Sequence, residues 1–349
     1  MFLDEYTLDK RIKTGNEADV FTCIRKDDGK EFVVKKIKNC YWTNVGYSWQ
    51  VIREISVLLK ARGNPYIVQM EDYFFEHNTV YIVLEKAICN MEDVRPFTSS
   101  KQASGAVECI LGGLAFLKSH GIIHRDLKEA NILVYPNNIF KICDFNLCGN
   151  VKDQDHVVQT VWWRSPEIYD KRSYDYGADM WSLGIIILNM FKKRFTLSEC
   201  GSDQKKIRDA LNKINVNVSR SRKMTELATQ ILVDKKHRVV IDELSHVYNR
   251  PQFEIKMNKD HEDTMWQIIA DGYIDHKKSR DTWERLFVIV TECENALSYV
   301  YKDICLSCYI IAVKLDLACN KHTIKNPSYN YENCKRWEKL ICEKYLWAW

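Results

Sequence analysis

The pattern of apolar and polar residues divides the chain into a strand-rich beginning and a helix-rich remainder. Within the first ninety residues, 32–37 and 80–85 are short apolar runs suited to strands, and lysine interrupts the first of them. Between these runs, residues 47–60 are apolar at positions 51, 52, 55, 58 and 59, which is the spacing of one helix face. The pattern therefore predicts a small β-sheet with one helix, followed by a region that is mainly helical.

Helical spacing dominates the rest of the chain. Residues 103–119 are apolar at positions 106, 107, 110, 111, 114, 115 and 117, which predicts a buried helix. Residues 251–260 have the character of a linker, and three or four helical patterns follow it: 264–273, 282–297, 301–318 and 330–347. We predict a separate helical bundle over residues 251–349, with the nearly all-apolar segment 301–318 at its centre.

Composition and charge narrow the class of protein. With 349 residues and 46% hydrophobic side chains, the chain is long and apolar enough for a folded core in one large domain or two to three ordinary ones. Fifty-one basic and 47 acidic residues leave a net charge of +4, which is too small to indicate binding to nucleic acid or to an anionic membrane. The longest near-continuous apolar run, 183–191, is too short to span a bilayer, and residues 1–5 lack the features of a secretion signal. We expect an intracellular protein, located in the cytoplasm, the nucleus or both.

Thirteen cysteines are scattered along the chain. Their odd number and irregular spacing favour free thiols in a reducing compartment. Cys305 and Cys308 form a C-x-x-C pair, but no second pair stands at zinc-finger spacing, and the pair lies in an apolar helical pattern. A zinc site is therefore not predicted.

Candidate chemistry is concentrated in two segments, HRDLKEANIL from position 124 and KICDFN from position 141. Asp126 could accept a hydroxyl proton, Lys128 could screen phosphate charge, and Asn131 with Asp144 could hold Mg²⁺. These groups are the minimum that phosphoryl transfer requires. A polar turn between two strands is the alternative interpretation. So many chemically suitable residues at fixed spacings would rarely arise in a random chain, which argues against it.

The first segment resembles the catalytic loop of protein kinases, and the second resembles their DFG metal-binding element with one change. The resemblance implies that Asp126 orients and deprotonates the acceptor hydroxyl, while Lys128 neutralises charge on the transferring phosphoryl group. It also implies that Asn131 and Asp144 coordinate Mg²⁺. Lys128, together with Thr160, which contacts the catalytic aspartate in such enzymes, points to serine or threonine acceptors.

The strand-rich beginning resembles the nucleotide-binding part of a kinase in a weakened form. Residues 12–20 lie where kinases carry GxGxxGxV, but only Gly15 is kept. Residues 32–37 resemble the VAIK strand, and strand alternation places Lys35 on the face of Val33. Glu54 is expected to pair with Lys35, the alternative being a solvated helix charge. By resemblance, the residues at ATP are Ile12, Gly15, Val20, Val33, Lys35, Glu54, Leu84 as gatekeeper, Leu133, and the backbone of Glu85 and Ala87.

Further segments resemble the cyclin-dependent kinases in particular. They are SWQVIRE from position 48, TVWWRSPE from position 160 and YGADMWSLG from position 176. The resemblance implies that Asp179 holds the backbone of the catalytic loop, the alternative being a charge at a helix N-terminus. It also implies that Arg238 pairs with Glu167, and that Arg164 helps to form a pocket that tolerates proline after the phosphoacceptor.

This resemblance covers residues 4–250 and implies an α+β, bilobal kinase fold. The β-rich N-lobe would occupy residues 1–86 and the helical C-lobe residues 87–250, followed by the all-α domain over 251–349. Five side chains would converge on one magnesium–triphosphate in a cleft between the lobes: Lys35, Glu54, Asp126, Asn131 and Asp144.

Several residues depart from the family pattern. Asn146 replaces the glycine of DFG, and because asparagine tolerates positive φ, we expect the geometry to survive with less mobility. The loss of two loop glycines, and the gain of Glu17 and Asp19 near the nucleotide, should weaken phosphate binding. None of these changes removes a group that touches the metal or the acceptor. We therefore predict an ATP- and Mg²⁺-dependent Ser/Thr protein kinase, with a nucleotide-binding or scaffolding pseudokinase as the alternative.

Regulation is also suggested by the sequence. Between Leu147 and Gln159 there is no Ser, Thr or Tyr, so an activating phosphate cannot be added there. Asp155 falls where relatives carry phosphothreonine, and our hypothesis is that it supplies a built-in anion for Arg125 and Arg53. The alternative is an ordinary exposed loop aspartate.

The C-terminal helices loosely resemble part of a cyclin box. A cyclin-like domain fused in cis could press on the helix that carries Glu54, as a separate cyclin acting in trans does for its kinase. The alternative is a bundle that stabilises the adjacent lobe or binds substrate.

Overall fold

A computed structural model describes residues 1–241 of the chain except 16–17, 39–40, 43–45, 77, 153, 155–157, 193–196, 202, 215, 217, 219–220 and 240. The contacts within this part of the chain divide it into two compact units. Of the described residues, the first unit contains Met1–Arg62 and Gln69–Lys86, and the second contains Gly63–Val68 and the residues from Ala87 to Ile241. The helical domain predicted over residues 251–349, including its cyclin-like character, lies outside the described residues.

The first unit is built on an antiparallel sheet of five strands in the order β1-β2-β3-β7-β6, with β4 and β5 forming a separate pair. Its elements are α1 (Phe2–Glu5), β1 (Tyr6–Thr14), β2 (Ala18–Arg25), β3 (Glu31–Lys38), β4 (Tyr41–Trp42), β5 (Gly46–Tyr47), α2 (Trp49–Lys60), β6 (Met70–Glu76) and β7 (Thr79–Glu85). The two predicted strands and the predicted helix correspond to β3, β7 and α2, and they are confirmed.

The register of the sheet decides which side chains share a face. Val20 on β2 and Ile82 on β7 both lie opposite Lys35 on β3, and Val33 lies opposite Leu84. Because neighbouring residues of a strand point to opposite faces, these side chains share one face of the sheet.

The opposite face of the sheet carries an aromatic core. Phe32 and Val34 on β3 pack there with Tyr81 and Val83 on β7. The short helix α1 covers them, with the ring of Phe2 stacked on Tyr6 at 5.4 Å and on Tyr81 at 4.5 Å between centroids. The face bearing Lys35 is therefore the face left for polar chemistry.

The second unit is mainly helical, with a three-stranded sheet in the order β10-β9-β8. Its elements are β8 (Cys89–Asn90), α3 (Ser100–Ser119), β9 (Ile132–Tyr135), β10 (Ile139–Ile142), α4 (Pro166–Tyr169), α5 (Gly177–Asn189), α6 (Gln204–Asn212) and α7 (Arg222–Ile231). The predicted helix 103–119 is confirmed as α3, which begins earlier because Ser99 caps it by accepting a hydrogen bond from the amide of Gln102. The β-rich first unit and the helical second unit agree with the predicted α+β class.

Helix α5 forms the core of the second unit and is buried from Ala178 to Asn189. Gly184 lets α7 approach closely, since a Cβ atom at this position would lie 2.7 Å from the side chain of Leu232. In the described part of the chain, no helix combines the length and apolar character needed to cross a bilayer. The cysteines there are free thiols, as expected: Cys23, Cys89, Cys109, Cys143, Cys148 and Cys200.

Candidate active site

The loop between α3 and β9 carries Asp126, and a buried carboxylate holds the backbone of this loop. Asp179 on α5 accepts hydrogen bonds from the backbone N–H groups of His124 (2.7 Å) and Arg125 (2.9 Å). Burial raises the pKa of the Asp179 carboxyl, and the two amide donors and the charge of Arg125 act in the opposite direction. Asp179 is thus an anchor within the second unit for a turn in which Arg125 has φ 65°.

His124 connects this loop to the segment that carries Asp144. Its Nε2 lies 3.0 Å from the carbonyl oxygen of Cys143, and its Nδ1 accepts from the amide of Asp126 at 3.2 Å. A neutral imidazole with its proton on Nε2 satisfies both contacts. The buried ring of Phe145 meets His124 edge-on at 5.2 Å. The two motif segments are therefore fixed to each other.

The carboxylate of Asp126 is surrounded by donors from three of the predicted site residues. Oδ1 accepts from the hydroxyl of Thr160 (2.6 Å) and from its amide (3.0 Å). Oδ2 accepts from Nζ of Lys128 (2.6 Å) and Nδ2 of Asn131 (3.2 Å). Lys128 also donates to the hydroxyl of Thr160 at 3.0 Å. The structure thus brings Asp126, Lys128, Asn131 and Thr160 together, although 34 residues separate Asp126 from Thr160.

The predicted metal ligands have chemistry that suits Mg²⁺. Nδ2 of Asn131 also donates to the carbonyl of Asp126 at 2.9 Å, which fixes the amide so that its oxygen is the end left to act as a ligand. Asp144 supplies a carboxylate from a left-handed residue with φ 67°. Mg²⁺ is commonly held by one or two carboxylates together with phosphate oxygens, so this small donor set fits. Within the described ranges, no group of three or more His, Cys, Asp or Glu side chains is arranged to hold a metal.

Asn146 does not need the tolerance for positive φ that we expected of it. The left-handed residue of this segment is Asp144, and Asn146 is not among the residues with positive φ. Asparagine is therefore accommodated in place of glycine without backbone strain, because the residue stays in the region open to all L-residues.

The first unit contains the ion pair expected between β3 and α2. Nζ of Lys35 donates to both carboxylate oxygens of Glu54, at 2.7 and 2.8 Å. The side chain of Glu54 is 3% exposed and that of Lys35 is 17% exposed. Such a pair holds the lysine in one orientation on the face that also carries Val20 and Val33.

The glycine loop keeps one glycine for a steric reason. The amide of Gly15 donates to the carbonyl of Ala18 at 2.9 Å, which joins the end of β1 to the start of β2. A Cβ atom on Gly15 would lie 2.9 Å from this same oxygen, closer than real Cβ contacts allow. Glycine is thus required at position 15 even though the other glycines of the family motif are replaced.

Asp19 does not lie where we expected it. It stands opposite Lys36 on β3, next to Val20, and strand alternation therefore puts it on the face away from Lys35. Its carboxylate forms an ion pair with Lys38, which lowers the pKa of Asp19. The expected repulsion between Asp19 and phosphate is wrong for this geometry, and Glu17 lies outside the described residues.

The other residues expected at ATP are divided between the two units. Ile12 lies on β1 and is exposed, Leu84 and Glu85 are on β7, and Leu133 is on β9. The amide of Glu85 donates to the carbonyl of Gln69 at 3.0 Å. The backbone of Glu85 would therefore have to use its carbonyl to accept a hydrogen bond from adenine. Ala87 belongs to the second unit.

The predicted regulatory arginines have different surroundings. Arg125 is fully buried, and its guanidinium donates to the carbonyls of Leu147 (2.6 Å) and Cys148 (2.9 Å) and to the hydroxyl of Tyr174 (3.3 Å). Arg53 is buried in the first unit with its guanidinium 4.6 Å from the ring of Trp49. Asp155 lies outside the described residues, so the built-in anion stays a hypothesis.

Arg238 and Glu167 form a buried ion pair within the second unit. Nη1 and Nη2 of Arg238 donate to the two oxygens of Glu167 at 2.6 and 3.2 Å, and both side chains are at most 2% exposed. Arg238 also donates to the carbonyl of Gly177 at the start of α5. The pair therefore connects α4 to α5 and has a structural character.

Two residues near the catalytic loop were not singled out by the sequence, and both are buried: Glu129 and Gln159. Glu129 is 1% exposed, and its Oε2 accepts from the indole N–H of Trp163 at 2.8 Å, while Arg95 lies 3.4 Å from Oε1. Burial raises the pKa of Glu129 to about 7, although Arg95 opposes this. The place of Glu129 between the motif residues Lys128 and Asn131 was a signal in the sequence. Its partners Arg95 and Trp163, however, are distant in sequence.

Comparisons with known proteins agree with this geometry. A family model described as the protein kinase domain matches residues 6–284, well over half of the chain. Cyclin-dependent kinase 20 of Danio rerio is 33% identical over 195 residues, which cover 53% of this chain and 56% of the relative. The human protein of the same name is 32% identical over 197 residues, with coverage of 53% and 56%. A probable cell division protein kinase of Encephalitozoon cuniculi is 34% identical over 202 residues, with coverage of 54% and 62%.

The matches with individual relatives cover only part of each protein. The chain spans about half the length of the curated relatives it matches. The family match ends inside the region that the sequence assigns to a C-terminal domain, so the boundary at residue 250 stays a prediction. Since the kinase family model covers well over half of the chain, including every candidate site residue, this chain belongs to the protein kinase family and is similar within it to the cyclin-dependent kinases.

Proposed function

We propose that this protein transfers the γ-phosphate of ATP to serine or threonine hydroxyls of protein substrates. The observation that carries the proposal is the set of donors around Asp126. Because Thr160, Lys128 and Asn131 fix the carboxylate, it is held in one orientation to accept the proton of an acceptor hydroxyl. Lys128 places a positive charge next to that proton acceptor, where negative charge develops on the transferring group.

The remaining site residues have roles in binding ATP with Mg²⁺. Lys35, oriented by Glu54, would bind the α- and β-phosphates. The amide oxygen of Asn131 and the carboxylate of Asp144 would hold the metal. When bound, Mg²⁺ neutralises phosphate charge and orients the phosphates.

A preference for proline after the phosphoacceptor is part of the proposal. Gln159 has φ 62°, and its carbonyl accepts hydrogen bonds from Nη2 (2.9 Å) and Nε (3.3 Å) of Arg164. A carbonyl engaged in this way is a poor acceptor for the backbone N–H of a substrate residue beside it. Proline has no N–H to leave unpaired, so it would be favoured there.

We further propose that the segment after Asp144 is ordered without phosphorylation. No Ser, Thr or Tyr lies between Leu147 and Gln159. The guanidinium of Arg125 is already bound by two carbonyls of this segment, which supports ordering by groups within the chain. Asp155 would add a single negative charge in the position of a phosphate.

Activation by a cyclin-type domain, in cis through residues 251–349 or in trans, completes the proposal. Helix α2 is buried on its polar as well as its apolar positions, from Val51 to Leu59. A helix at the edge of a small sheet ordinarily buries one face. Because the burial of Val51 to Leu59 is present in the single chain, it favours activation in cis over activation by a separate cyclin.

A peptide-array assay with the purified full-length protein tests the function. We expect transfer of radiolabelled phosphate from Mg·ATP to Ser and Thr peptides and not to Tyr peptides, with Pro favoured at the following position. The variant Asp126→Asn should lose transfer about 10²- to 10⁴-fold, as is typical when a general base is removed. Nucleotide binding without transfer by the unaltered protein would instead identify a pseudokinase.

A further inference from the structure

The side chain of Gln154 bonds to both main-chain groups of Tyr174. Its Oε1 accepts from the amide of Tyr174 at 3.0 Å, and its Nε2 donates to the carbonyl of Tyr174 at 3.2 Å. The same Nε2 donates to the carbonyl of Val151 at 2.6 Å. Two paired residues of an antiparallel sheet exchange hydrogen bonds in the same way, with one donor and one acceptor on each side. Gln154 therefore fastens its own part of the chain to a residue 20 positions further on.

Tyr174 extends this connection into the interior of the second unit. The residue is 2% exposed and lies in an apolar cluster that includes Val158 and Ile168. Its hydroxyl accepts from Nη1 of Arg125 at 3.3 Å. The backbone of Tyr174 thus contacts Gln154, while its side chain contacts the catalytic loop.

The conformation of Arg125 depends on contacts of this kind. The residue has φ 65° and is completely buried. A residue other than glycine keeps a left-handed backbone only where its surroundings enforce it. The guanidinium donates to the hydroxyl of Tyr174 and to the carbonyls of Leu147 and Cys148. Because Asp126 follows directly in the chain, the orientation of Arg125 affects the position of the carboxylate that accepts the proton.

We propose that Gln154 is a positioning residue that holds Tyr174 against Arg125 and thereby keeps the catalytic loop ordered without phosphorylation. This inference rests on the proposed function, and it identifies an uncharged group that contributes order where no activating phosphate can be added. A carboxamide does not titrate, so its hydrogen bonds require neither a modifying enzyme nor a particular pH. Since Lys35 lies in the other unit, the loss of Gln154 should lower kcat and leave KM for ATP nearly unchanged.

The main test replaces Gln154 by methionine in the full-length protein. Gln154→Met keeps the length of the side chain without its hydrogen bonds. We expect kcat with a serine peptide to fall about tenfold, which is the effect of losing one or two neutral hydrogen bonds. Gln154→Glu keeps the acceptor for the amide of Tyr174 but loses the donor, so an intermediate kcat is expected.

Two further variants make the test specific. Gln102→Met makes the same substitution on α3, where the carboxamide donates to Asn138 at 3.4 Å, and it should leave kcat unchanged. Tyr174→Phe removes only the hydroxyl that Arg125 binds. If Gln154 acts through this hydroxyl, the double variant loses less than the product of the two single losses. Losses that multiply would overturn the path through Tyr174.

Hydrogen exchange gives a readout that needs no activity. The amide of Tyr174 is bonded to Gln154, and the amide of Arg125 is bonded to Asp179. We expect both amides to exchange faster in Gln154→Met than in the unaltered protein, because protection from exchange falls when local opening becomes easier. Faster exchange at Tyr174 alone would show that Gln154 does not order the catalytic loop.

The outcomes separate this inference from the function on which it rests. If the unaltered protein transfers no phosphate to Ser or Thr peptides, the proposed function is wrong, and the exchange at Arg125 still decides whether Gln154 orders the loop. If it transfers phosphate and a folded Gln154→Met keeps the same kcat, the function stands and the role of Gln154 is overturned. If Gln154→Met does not fold, Gln154→Glu takes its place, and an unchanged kcat in that variant overturns the inference.

Discussion

The hydroxyl of Thr160 donates a hydrogen bond of 2.6 Å to Oδ1 of Asp126. Lys128 donates to the same hydroxyl, so Thr160 holds two charged groups in position. We expect Thr160→Val to lower kcat about tenfold to hundredfold, since hydrogen bonds to charged groups contribute about 1.5–3 kcal/mol. Thr160→Ser, which keeps the hydroxyl, should retain most of the activity. Steady-state kinetics with a peptide substrate checks this, and equal kcat values for the valine variant and the unaltered protein would contradict it.

The ion pair between Lys35 and Glu54 leads to a prediction about ATP. Glu54→Gln keeps the shape of the side chain but removes the charge that orients Lys35. We expect kcat/KM for ATP to fall at least tenfold, because losing one partner of a buried charged pair costs about 2–5 kcal/mol. Glu71→Gln is the matched control, since Glu71 pairs with Arg25 in the same unit but at the surface. Similar losses in both variants would show that the effect is not specific to Lys35.

The raised pKa of Glu129 predicts a pH-dependent stability. Since its pKa is about 7 in the folded protein against an ordinary 4.5, the folded state binds this proton more tightly than the unfolded state. The stability from Glu129 is therefore fully present below about pH 4.5 and is lost as the pH rises through about 7. Between pH 4.5 and about 7, the free energy of unfolding of the unaltered protein should fall relative to that of Glu129→Gln. The fall is about 1.4 kcal/mol for each unit by which the pKa of Glu129 is raised. Urea unfolding of both proteins at pH 5 and pH 8 measures it, and a difference independent of pH would refute it.

The hypothesis about Asp155 is tested by substitution. If its carboxylate stands in for a phosphate, Asp155→Ala should reduce transfer severalfold, while Asp155→Glu should retain activity because it keeps the charge. Asp153→Ala is a control that removes a carboxylate two positions away in sequence. A rate unchanged in Asp155→Ala would support the alternative of an ordinary loop residue.

The C-terminal region is tested by two truncations. Deleting residues 285–349 leaves the whole family match intact, and deleting 255–349 removes every helical pattern predicted for the C-terminal domain. We expect both to lose most of the transfer activity while the remaining chain still unfolds cooperatively, because an activating element would be missing. Full activity after both deletions would exclude activation in cis. Loss of cooperative unfolding would favour a stabilising bundle.

Local sequence patterns were sufficient for much of this fold. The strands β3 and β7 and the helices α2 and α3 each have a clear period of 2 or 3.6, which short stretches of sequence express. The contact between Lys35 and Glu54 follows once the strand and the helix are recognised. These features depend on residues close together in sequence or on family motifs.

Other parts of the site depend on contacts that sequence patterns do not express. Gln159 bonds to Ser182 across 23 positions, and glutamine carries no signal for a left-handed backbone as glycine or asparagine would. Glu129 meets Trp163 across 34 positions. The burial that raises the pKa of Glu129 follows from that packing and could not be deduced from its neighbours in sequence.

The place of Asp19 on the sheet has a consequence for judging which divergent kinases are inactive. When only sequence position is considered, an acidic residue in or near the glycine motif is expected to repel the phosphates of a nucleotide. Side chains alternate between the two faces of a strand, however. Only residues an even number of positions from Val20, which lies opposite Lys35, share the face of that lysine. Asp19 is one step out of phase with Val20, so its carboxylate is not grounds for assigning this chain to the inactive members of its family.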